Sequence, residues 1–145
     1  MAAKMGLPFI DGDDLHPLAN KQKMAAGIPL DDADRAPWLD AIAAALAGDP
    51  MVVACSALKR RYRDRLRNGA PDIQFIYLAG PSALLAQRLS LRAHEFMPPG
   101  LLESQLAILE PPGSDENALT IDIRLSPGAI VDCAAQWLNT SKRFR

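Results

Sequence analysis

Four short apolar runs divide this sequence, and segments with helical periodicity lie between them. Runs this short favour strands that are buried on both faces, as in a parallel sheet. Strands that alternate with helices predict an α/β fold. The four predicted strands are Leu7 to Ile10, Met51 to Cys55, Ile73 to Leu78 and Leu119 to Ile123.

The segments between the runs carry helix start signals followed by apolar stripes. Asp31 and Asp32 are predicted N-caps, Ser56 is predicted to cap the next helix, and Ser126-Pro127 places a proline at a first helical position. The apolar stripes are Trp38, Leu39, Ile42 and Leu46; Leu58, Tyr62 and Leu66; Leu84, Leu85 and Leu89; Leu102, Leu106 and Leu109; and Ile130, Ala134, Trp137 and Leu138.

The first six residues predict the last turn of a helix. Gly6 is typical of a helix C-terminus, and Pro8 follows just beyond it. Because only the last turn of this helix is present, the pattern predicts that further sequence precedes it. We therefore expect residues 1–145 to form one domain that lacks its N-terminal part.

The composition argues against several classes of function. The 145 residues include 16 basic and 17 acidic side chains, for a formal net charge of −1, so we expect no nucleic-acid partner. No apolar stretch reaches membrane-spanning length and no signal peptide begins the chain, so we expect no membrane partner. Cys55 and Cys133 lie in apolar runs, which predicts buried free thiols and a cytoplasmic location.

The segment Asp11-Gly-Asp13-Asp-Leu-His16-Pro17 directly follows the first predicted strand. Ligands of open α/β sheets bind beyond the carboxyl ends of strands. Carboxylates at that position can hold a hydrated Mg²⁺ or accept a proton from a substrate hydroxyl. An Asp-Gly turn with capping aspartates accounts for the same residues about equally well.

A basic cluster follows the second predicted strand. Lys59 and Arg63 are four residues apart on one helix face, with Arg60 and Arg67 nearby. Such a cluster can bind a carboxylate or a phosphate. Spacing alone favours a solvated helix face instead, with Arg60 and Asp64 as an ordinary i,i+4 ion pair.

Arg88 and Arg92 repeat this spacing on a later helix, which runs into a Pro/Gly-rich segment at Glu95 to Gly100. Two arginines before such a break are consistent with a mobile lid that brings positive charge onto a transferred phosphate. Surface arginines are the alternative. His94 taken alone favours a packed or surface histidine.

The remaining polar candidates are weaker. Lys23 and Arg35 could reach an anionic substrate, although a solvated surface is the default, and Gln105 carries less signal still. Trp38 favours a place in the core. The sequence has no CxxC, HExxH or GxSxG motif, so zinc and serine-hydrolase chemistry lack support.

Taken in order, these segments resemble the gluconokinase family. The most specific are Phe9-Ile-Asp-Gly-Asp13 with Leu15-His-Pro17, and Cys55-Ser-Ala-Leu-Lys59. The other matching positions run in family order over nearly the whole chain: Asn20, Lys23-Met24, Gly27-Ile-Pro-Leu30, Asp34-Arg35, Pro37-Trp-Leu39, Tyr62-Arg-Asp64, Phe75-Ile-Tyr-Leu78, Arg88-Leu89, Arg92, His94 and Ser104-Gln105. On this resemblance the chain is identified as a member of the family.

The resemblance implies a P-loop kinase-like, three-layer α/β fold with a parallel sheet, similar to shikimate and nucleoside-monophosphate kinases. It implies transfer of the γ-phosphoryl group of ATP, with Mg²⁺, to the 6-hydroxyl of D-gluconate. The family strand order, 2-3-1-4-5, puts the family's first strand at the centre of the sheet. Dimers are common in the family, so the resemblance also implies a homodimer.

The resemblance also carries the family's functional roles onto positions of this sequence. Asp13 is implied to orient or deprotonate the attacking hydroxyl, and Arg92 to act with it in catalysis. Asp11 and Ser56 are implied to lie at the metal ion, and Arg88 and Arg92 at the nucleotide. The implied substrate-binding residues are Asp11, His16, Lys23, Arg35, Lys59, Arg63, His94 and Gln105.

One family element is absent from the sequence. No lysine here follows the G-x-x-x-x-G pattern of the phosphate-binding loop, whose backbone N–H groups cradle the phosphates. We therefore expect the first, central strand to be absent as well, which would leave a slot between the second and third predicted strands. A catalytically inactive fragment that binds a sugar acid or a partner protein is the alternative function.

Overall fold

The computed structural model describes residues 1–91 and 99–142, which combine α-helices with short parallel strands. The strands are β1 (Phe9–Asp11), β2 (Val52–Ala54), β3 (Phe75–Ala79) and β4 (Ala118–Asp122). The helices are α1 (Ala2–Met5), α2 (Leu18–Ala25), α3 (Asp32–Leu46), α4 (Arg60–Gly69), α5 (Ser82–Ser90), α6 (Pro99–Ile108) and α7 (Pro127–Lys142), with a 3₁₀ helix at Gly12–Leu15. The predicted α/β fold is confirmed.

The strands form two parallel pairs. β1 pairs with β2 in a register that places Phe9 opposite Val52. β3 pairs with β4 in a register that places Phe75 opposite Ala118. Over the described residues, β2 and β3 are not hydrogen-bonded to each other. This matches the prediction that the second and third strands are separated by a slot.

A cavity of about 630 Å³ lies between β2 and β3. Its walls include Val53 from β2, Ile76 and Leu78 from β3, and Ile130 and Ala134 from α7. These side chains are apolar, as expected around the position of a buried strand. The cavity therefore occupies the predicted slot.

The largest cluster of buried side chains lies between α3 and α4. Trp38, Leu39 and Ile42 of α3 pack with Tyr62 and Leu66 of α4. These residues belong to the two apolar stripes that helical spacing predicted. The core thus supports the strand pair β1–β2 and the loops that follow its carboxyl end.

Two helix ends follow their sequence signals. Asp31 caps α3, and its side chain accepts the backbone N–H of Asp34 at 2.8 Å. The Asp34 carboxylate accepts the backbone N–H of Asp31 at 3.0 Å, which completes a capping box. Gly6 ends α1 with φ of 65°, a conformation that glycine adopts without strain.

The start of α4 corrects a prediction. Ser56 was expected to cap this helix, but α4 begins at Arg60 and its N-cap position is Lys59. The backbone N–H of Glu110 donates to the carbonyl of Leu58 at 2.8 Å, which ties the preceding segment to another part of the chain. The residues after β2 therefore form a loop rather than a first helical turn.

Two other expectations concern the chain as a whole. Cys55 and Cys133 are free thiols, but both are exposed, so their predicted burial is wrong. None of the helices in residues 1–91 and 99–142 has the length and apolar character that a membrane span requires.

Candidate functional site

The turn after β1 is held tightly from two sides. Asp11 Oδ1 accepts the backbone N–H of Asp13 at 3.0 Å. Gly12 lies so close to β2 that a Cβ atom there would stand 2.3 Å from the carbonyl oxygen of Ala54. The indole Nε1 of Trp38 donates to the Gly12 carbonyl at 2.7 Å. These contacts fix the backbone that carries the two carboxylates, while the Asp13 side chain remains 75% exposed.

His16 lies beneath this turn. Its ring stacks on Trp38, with 4.2 Å between the ring centroids and 12° between the planes. Its Nε2 atom is 3.9 Å from Asp13 Oδ1. Burial, followed by the positive charges of Arg35 and Lys21, lowers the pKa of His16 from 6.5 to about 4. The imidazole is therefore neutral near pH 7.

The basic residues at the carboxyl end of β2 gather around Tyr62. Arg35, Lys59 and Arg61 lie over its ring at 5.6, 5.6 and 5.8 Å from the centroid. The Asp32 carboxylate accepts a hydrogen bond from the Tyr62 hydroxyl and pairs with Arg61, and its Oδ1 atom is 3.2 Å from Lys59 Nζ. The positive charge is thus partly balanced and held in place by one carboxylate.

Arg35 connects the carboxylate turn with this basic group. It is buried, and its Nε donates to the carbonyl of Leu30 at 3.3 Å. Its charge acts on His16 on one side, and its guanidinium lies over Tyr62 on the other. A series of contacts thus links Asp13, His16, Arg35 and Lys59 near the carboxyl ends of β1 and β2, and their roles in a site remain predictions.

Arg63 takes a different position from the one its spacing suggested. It is 3% exposed and forms two hydrogen bonds with Glu116, itself 1% exposed, at 2.6 and 3.0 Å. Its Nη1 atom also donates to the carbonyls of Ala57 and Leu58 at 3.0 and 3.2 Å. Arg63 thus anchors the loop before Lys59, and these donors face the protein rather than a ligand.

Lys23 and Ser56 lie at the margins of the site. Lys23 Nζ contacts both carboxylate oxygens of Asp34, at 2.7 and 2.8 Å, and this hydrogen bond raises the pKa of Lys23. Ser56 is half-buried in the loop after β2, where it lines the slot. Cys55, its neighbour, also lines the slot: its surface is exposed to this cavity, yet the protein that surrounds the cavity desolvates the thiol and raises its pKa to about 11.

Two further candidates, Arg88 from the nucleotide set and Gln105 from the substrate set, lie on α5 and α6. Arg88, on α5, donates from Nη2 to the carbonyl of Ile123 at 2.7 Å, beyond the carboxyl end of β4. Gln105 is half-buried on α6. Arg92 and His94 lie outside the described residues.

The donor set after β1 fits a hydrated Mg²⁺. Mg²⁺ commonly keeps several waters and is held by one or two carboxylates together with substrate phosphates. Asp11 and Asp13 supply two carboxylates on one short turn, and the Asp13 carboxylate is accessible to solvent. Asp11 is the carboxylate that the family resemblance assigns to the ion, and it would hold it.

Sequence analysis missed two residues that organise the site. Glu116 holds Arg63 from 53 positions away along the chain, and no local pattern identifies it. Asp32 was considered only as a helix cap, although it contacts Lys59 and Tyr62 across 27 and 30 positions. The sequence offered one signal for this contact. Asp32 is a carboxylate in the first turn of a helix, and the cations around Lys59 could be its partners.

Known proteins resemble this chain closely. A gluconokinase from Gluconobacter oxydans (strain 621H) is 44% identical over 137 residues, covering 91% of this chain and 77% of that protein. The crystal structure of a gluconokinase from Sinorhizobium meliloti 1021 matches with a TM-score of 0.89 at 44% identity, over 99% of this chain and 83% of its own. An unliganded sugar kinase from Janibacter sp. HTCC2649 matches with a TM-score of 0.89 at 41% identity, over 95% and 83%. No protein-family model matches the chain.

The parallel α/β fold and these solved relatives place the chain in the class of sugar kinases. Within that class, the chain belongs to the gluconokinase family, as the ordered motifs around Asp13 and Lys59 predicted.

Proposed function

We propose that this chain forms the sugar-acid side of a gluconokinase site, which transfers the γ-phosphoryl group of ATP to the 6-hydroxyl of D-gluconate. One observation carries the proposal. The accessible Asp13 carboxylate stands beside neutral His16, and buried Arg35 connects this turn to the cations around Tyr62. A proton acceptor next to an anion-binding group suits a substrate that has both a hydroxyl and a carboxylate.

The residues have separate roles in the proposed reaction. Asp13 orients the 6-hydroxyl and accepts its proton as the oxygen attacks phosphorus. Lys59 and Arg35 balance the carboxylate of gluconate, with His16 and Lys23 at the edge of the same site. Arg63 supports this group by holding the loop that ends at Lys59.

ATP and Mg²⁺ complete the proposed reaction. Asp11 would hold the ion, which would neutralise phosphate charge when it is bound. Ser56, half-buried at the slot, would lie near it. Arg88 and Arg92 would serve the nucleotide, and His94 and Gln105 would contact the substrate.

A second function follows from the missing loop. The 145 residues contain no G-x-x-x-x-G-K-[ST] segment, and β2 and β3 face an open cavity. In the family that segment provides the nest of N–H groups that binds phosphates. We therefore propose that the chain alone binds the sugar acid without phosphorylating it, which is the inactive alternative.

A coupled assay for 6-phospho-D-gluconate tests both proposals. We expect no appreciable product from the 145-residue chain, because loss of even one oxyanion donor lowers a rate by about 10²–10³. We expect activity when a strand and a G-x-x-x-x-G-K-[ST] loop from a family member are joined before Met1. Product from the chain alone would overturn the inactive proposal. A folded but inactive joined protein would count against the kinase assignment.

Calorimetric titration with D-gluconate tests the sugar-acid site separately. We expect Lys59→Met to weaken binding about tenfold, because a charge-assisted contact is lost. Lys4→Met is the matched control, since Lys4 pairs with Asp132 at the α1–α7 contact and lies outside the site. Equal affinities for the two variants would exclude Lys59 from the site. Sedimentation of the purified chain would test whether it forms the homodimer that the family resemblance implies.

A further inference from the structure

The side-chain amide of Asn20 has a defined orientation. Asn20 is buried, and its Nδ2 atom is 2.8 Å from the carbonyl oxygen of Asp34. A carbonyl oxygen only accepts hydrogen bonds, so the amide atom that faces it must be the nitrogen. The same Nδ2 atom is 3.2 Å from Nδ1 of His16. The second amide hydrogen of Asn20 therefore points at the imidazole.

This contact determines which nitrogen of His16 carries the proton. A nitrogen that receives a hydrogen bond from an amide is unprotonated. In a neutral imidazole the single proton then lies on the other nitrogen, Nε2. Nε2 is the atom that faces Asp13 Oδ1, at 3.9 Å. That distance is about 1 Å longer than a hydrogen bond, so the contact inferred below requires the Asp13 carboxylate to move by that amount.

We infer that His16 is a positioning residue for Asp13: Asn20 holds the neutral imidazole as its Nε2–H tautomer, and this N–H orients the Asp13 carboxylate. The consequence for phosphoryl transfer rests on the proposed function, because there Asp13 accepts the proton of the substrate hydroxyl. A neutral donor suits this task. It can align the carboxylate, whereas a positively charged donor would lower the basicity of the carboxylate and make it a poorer acceptor of the hydroxyl proton.

The surroundings of His16 keep the ring in place for this role. Trp38 stacks on one face of the imidazole and also binds the carbonyl of Gly12, the residue before Asp13. The ring and the backbone of the carboxylate turn are thus fixed to the same indole. Asn20 is in turn fixed to the backbone of α3 through Asp34.

Nitrogen-15 NMR of the imidazole tests the tautomer directly and needs no activity. The chain has two histidines, so His94→Gln leaves His16 as the single imidazole. We expect a proton on Nε2 and an unprotonated Nδ1 at pH 7. Asn20→Asp replaces the donor by an acceptor and should move the proton to Nδ1; Asn20→Ala should give a mixture of tautomers. A proton on Nδ1 in the parent protein would overturn the inference.

Gluconate titration tests whether the N–H acts through Asp13. His16→Gln keeps an N–H donor near the position of Nε2, whereas His16→Phe keeps an aromatic ring against Trp38 and removes the donor. We expect about tenfold weaker binding for the phenylalanine variant, as for the loss of a hydrogen bond to a charged group, and near-normal binding for the glutamine variant. In an Asp13→Asn background the difference between the two should nearly vanish.

The outcomes separate this inference from the proposed function. If the gluconate affinities of the two His16 variants differ by the same factor in the parent and in the Asp13→Asn background, His16 has only a structural role and the inference is wrong. If the parent chain does not bind gluconate, the proposed function fails, and the NMR spectrum alone decides the tautomer. Melting temperatures of all variants identify any loss of affinity that comes from unfolding.

Discussion

At the scale of single residues, Arg63 and Glu116 form an ion pair that is shielded from solvent. Both side chains are almost fully buried, and the Glu116 carboxylate also accepts the backbone N–H of Gly113 at 2.9 Å. Removing one partner of a buried pair leaves the other charge without compensation. The pair joins α4 to the segment before β4, so its loss should loosen the loop that ends at Lys59.

We expect Glu116→Gln to lower the free energy of unfolding by about 3–5 kcal/mol, because Arg63 then remains buried and unpaired. Asp40→Asn is the matched control. The Asp40–Arg65 pair has the same two-bond geometry, at 2.6 and 2.7 Å, but it is exposed. Its removal should change stability by no more than about 1 kcal/mol. Urea unfolding of the three proteins would measure both effects, and equal losses would contradict the argument from burial.

The pKa of the Glu116 carboxyl predicts how the stability of the protein depends on pH. The hydrogen bonds from Arg63 lower the pKa of Glu116 from 4.5 to about 2 in the folded protein. A depressed pKa means that the stabilising contribution is complete above about pH 4.5 and is lost as the pH falls toward 2. The difference in unfolding free energy between the parent and Glu116→Gln should shrink over that interval. A difference that stays constant from pH 6 to pH 2 would refute this prediction.

Residue identity predicted the candidate site only in part. Asp11, Asp13 and His16 lie close in sequence, so their proximity followed from the turn itself. The family resemblance implied a substrate role for Arg63, and its spacing from Lys59 favoured a solvated helix face, yet its guanidinium is buried and faces Glu116. Spacing along one helix cannot show which group, 53 residues away, a side chain will meet in the folded chain.

At the scale of elements, α3 positions the carboxylate turn. Its Trp38 reaches across to the Gly12 carbonyl and supports the ring of His16. The helix is fixed at its start by the capping box of Asp31 and Asp34. One helix therefore connects the core to the turn after β1.

We expect Trp38→Phe to destabilise the protein by at least about 1–3 kcal/mol, the typical effect of leaving a buried carbonyl without its donor. The smaller ring adds a cavity effect. Trp137→Phe is the matched control, because Trp137 is only half-buried on α7. Thermal unfolding followed by circular dichroism would compare them. A larger loss for Trp137→Phe would show that the bond to Gly12 is unimportant.

Local signals predicted most of the elements. The end of α1 at Gly6 and the starts of α3 and α7 came from residues whose backbone preferences act within one turn. α2 was not assigned, because its side chains are mostly exposed and form no apolar stripe. The start of α4 was misplaced because contacts with Glu110 hold the loop before it, and such contacts leave no local trace.

At the scale of the whole molecule, the main feature is the slot between β2 and β3, which separates the two strand pairs. Apolar periodicity predicted four strands, but it could not order them in a sheet. The order came from the family resemblance, and the observed pairs agree with it. Two strands that face a gap each present unpaired backbone groups along the side that a further strand would occupy.

Amide hydrogen exchange should show the slot residue by residue. In β2 the N–H of Val52 donates to Pro8 at 2.9 Å, and in β3 that of Phe75 donates to Asn117 at 3.2 Å. Because N–H groups alternate sides along a strand, those of Val53, Ile76 and Leu78 point into the slot.

We expect these slot-facing amides to exchange at least about tenfold faster than Val52 and Phe75, since an unbonded N–H exchanges without local opening. Neighbouring residues on one strand become exposed together when that strand opens. The ratio of their exchange rates is therefore independent of overall stability, and alternation of fast and slow amides along the strand identifies the slot. Joining a strand and phosphate-binding loop before Met1 should slow exchange at the slot-facing positions and leave Val52 and Phe75 nearly unchanged. Uniform protection along both strands in the 145-residue chain would mean that the slot closes in solution. The proposed inactivity of the 145-residue chain would then rest on the missing loop alone.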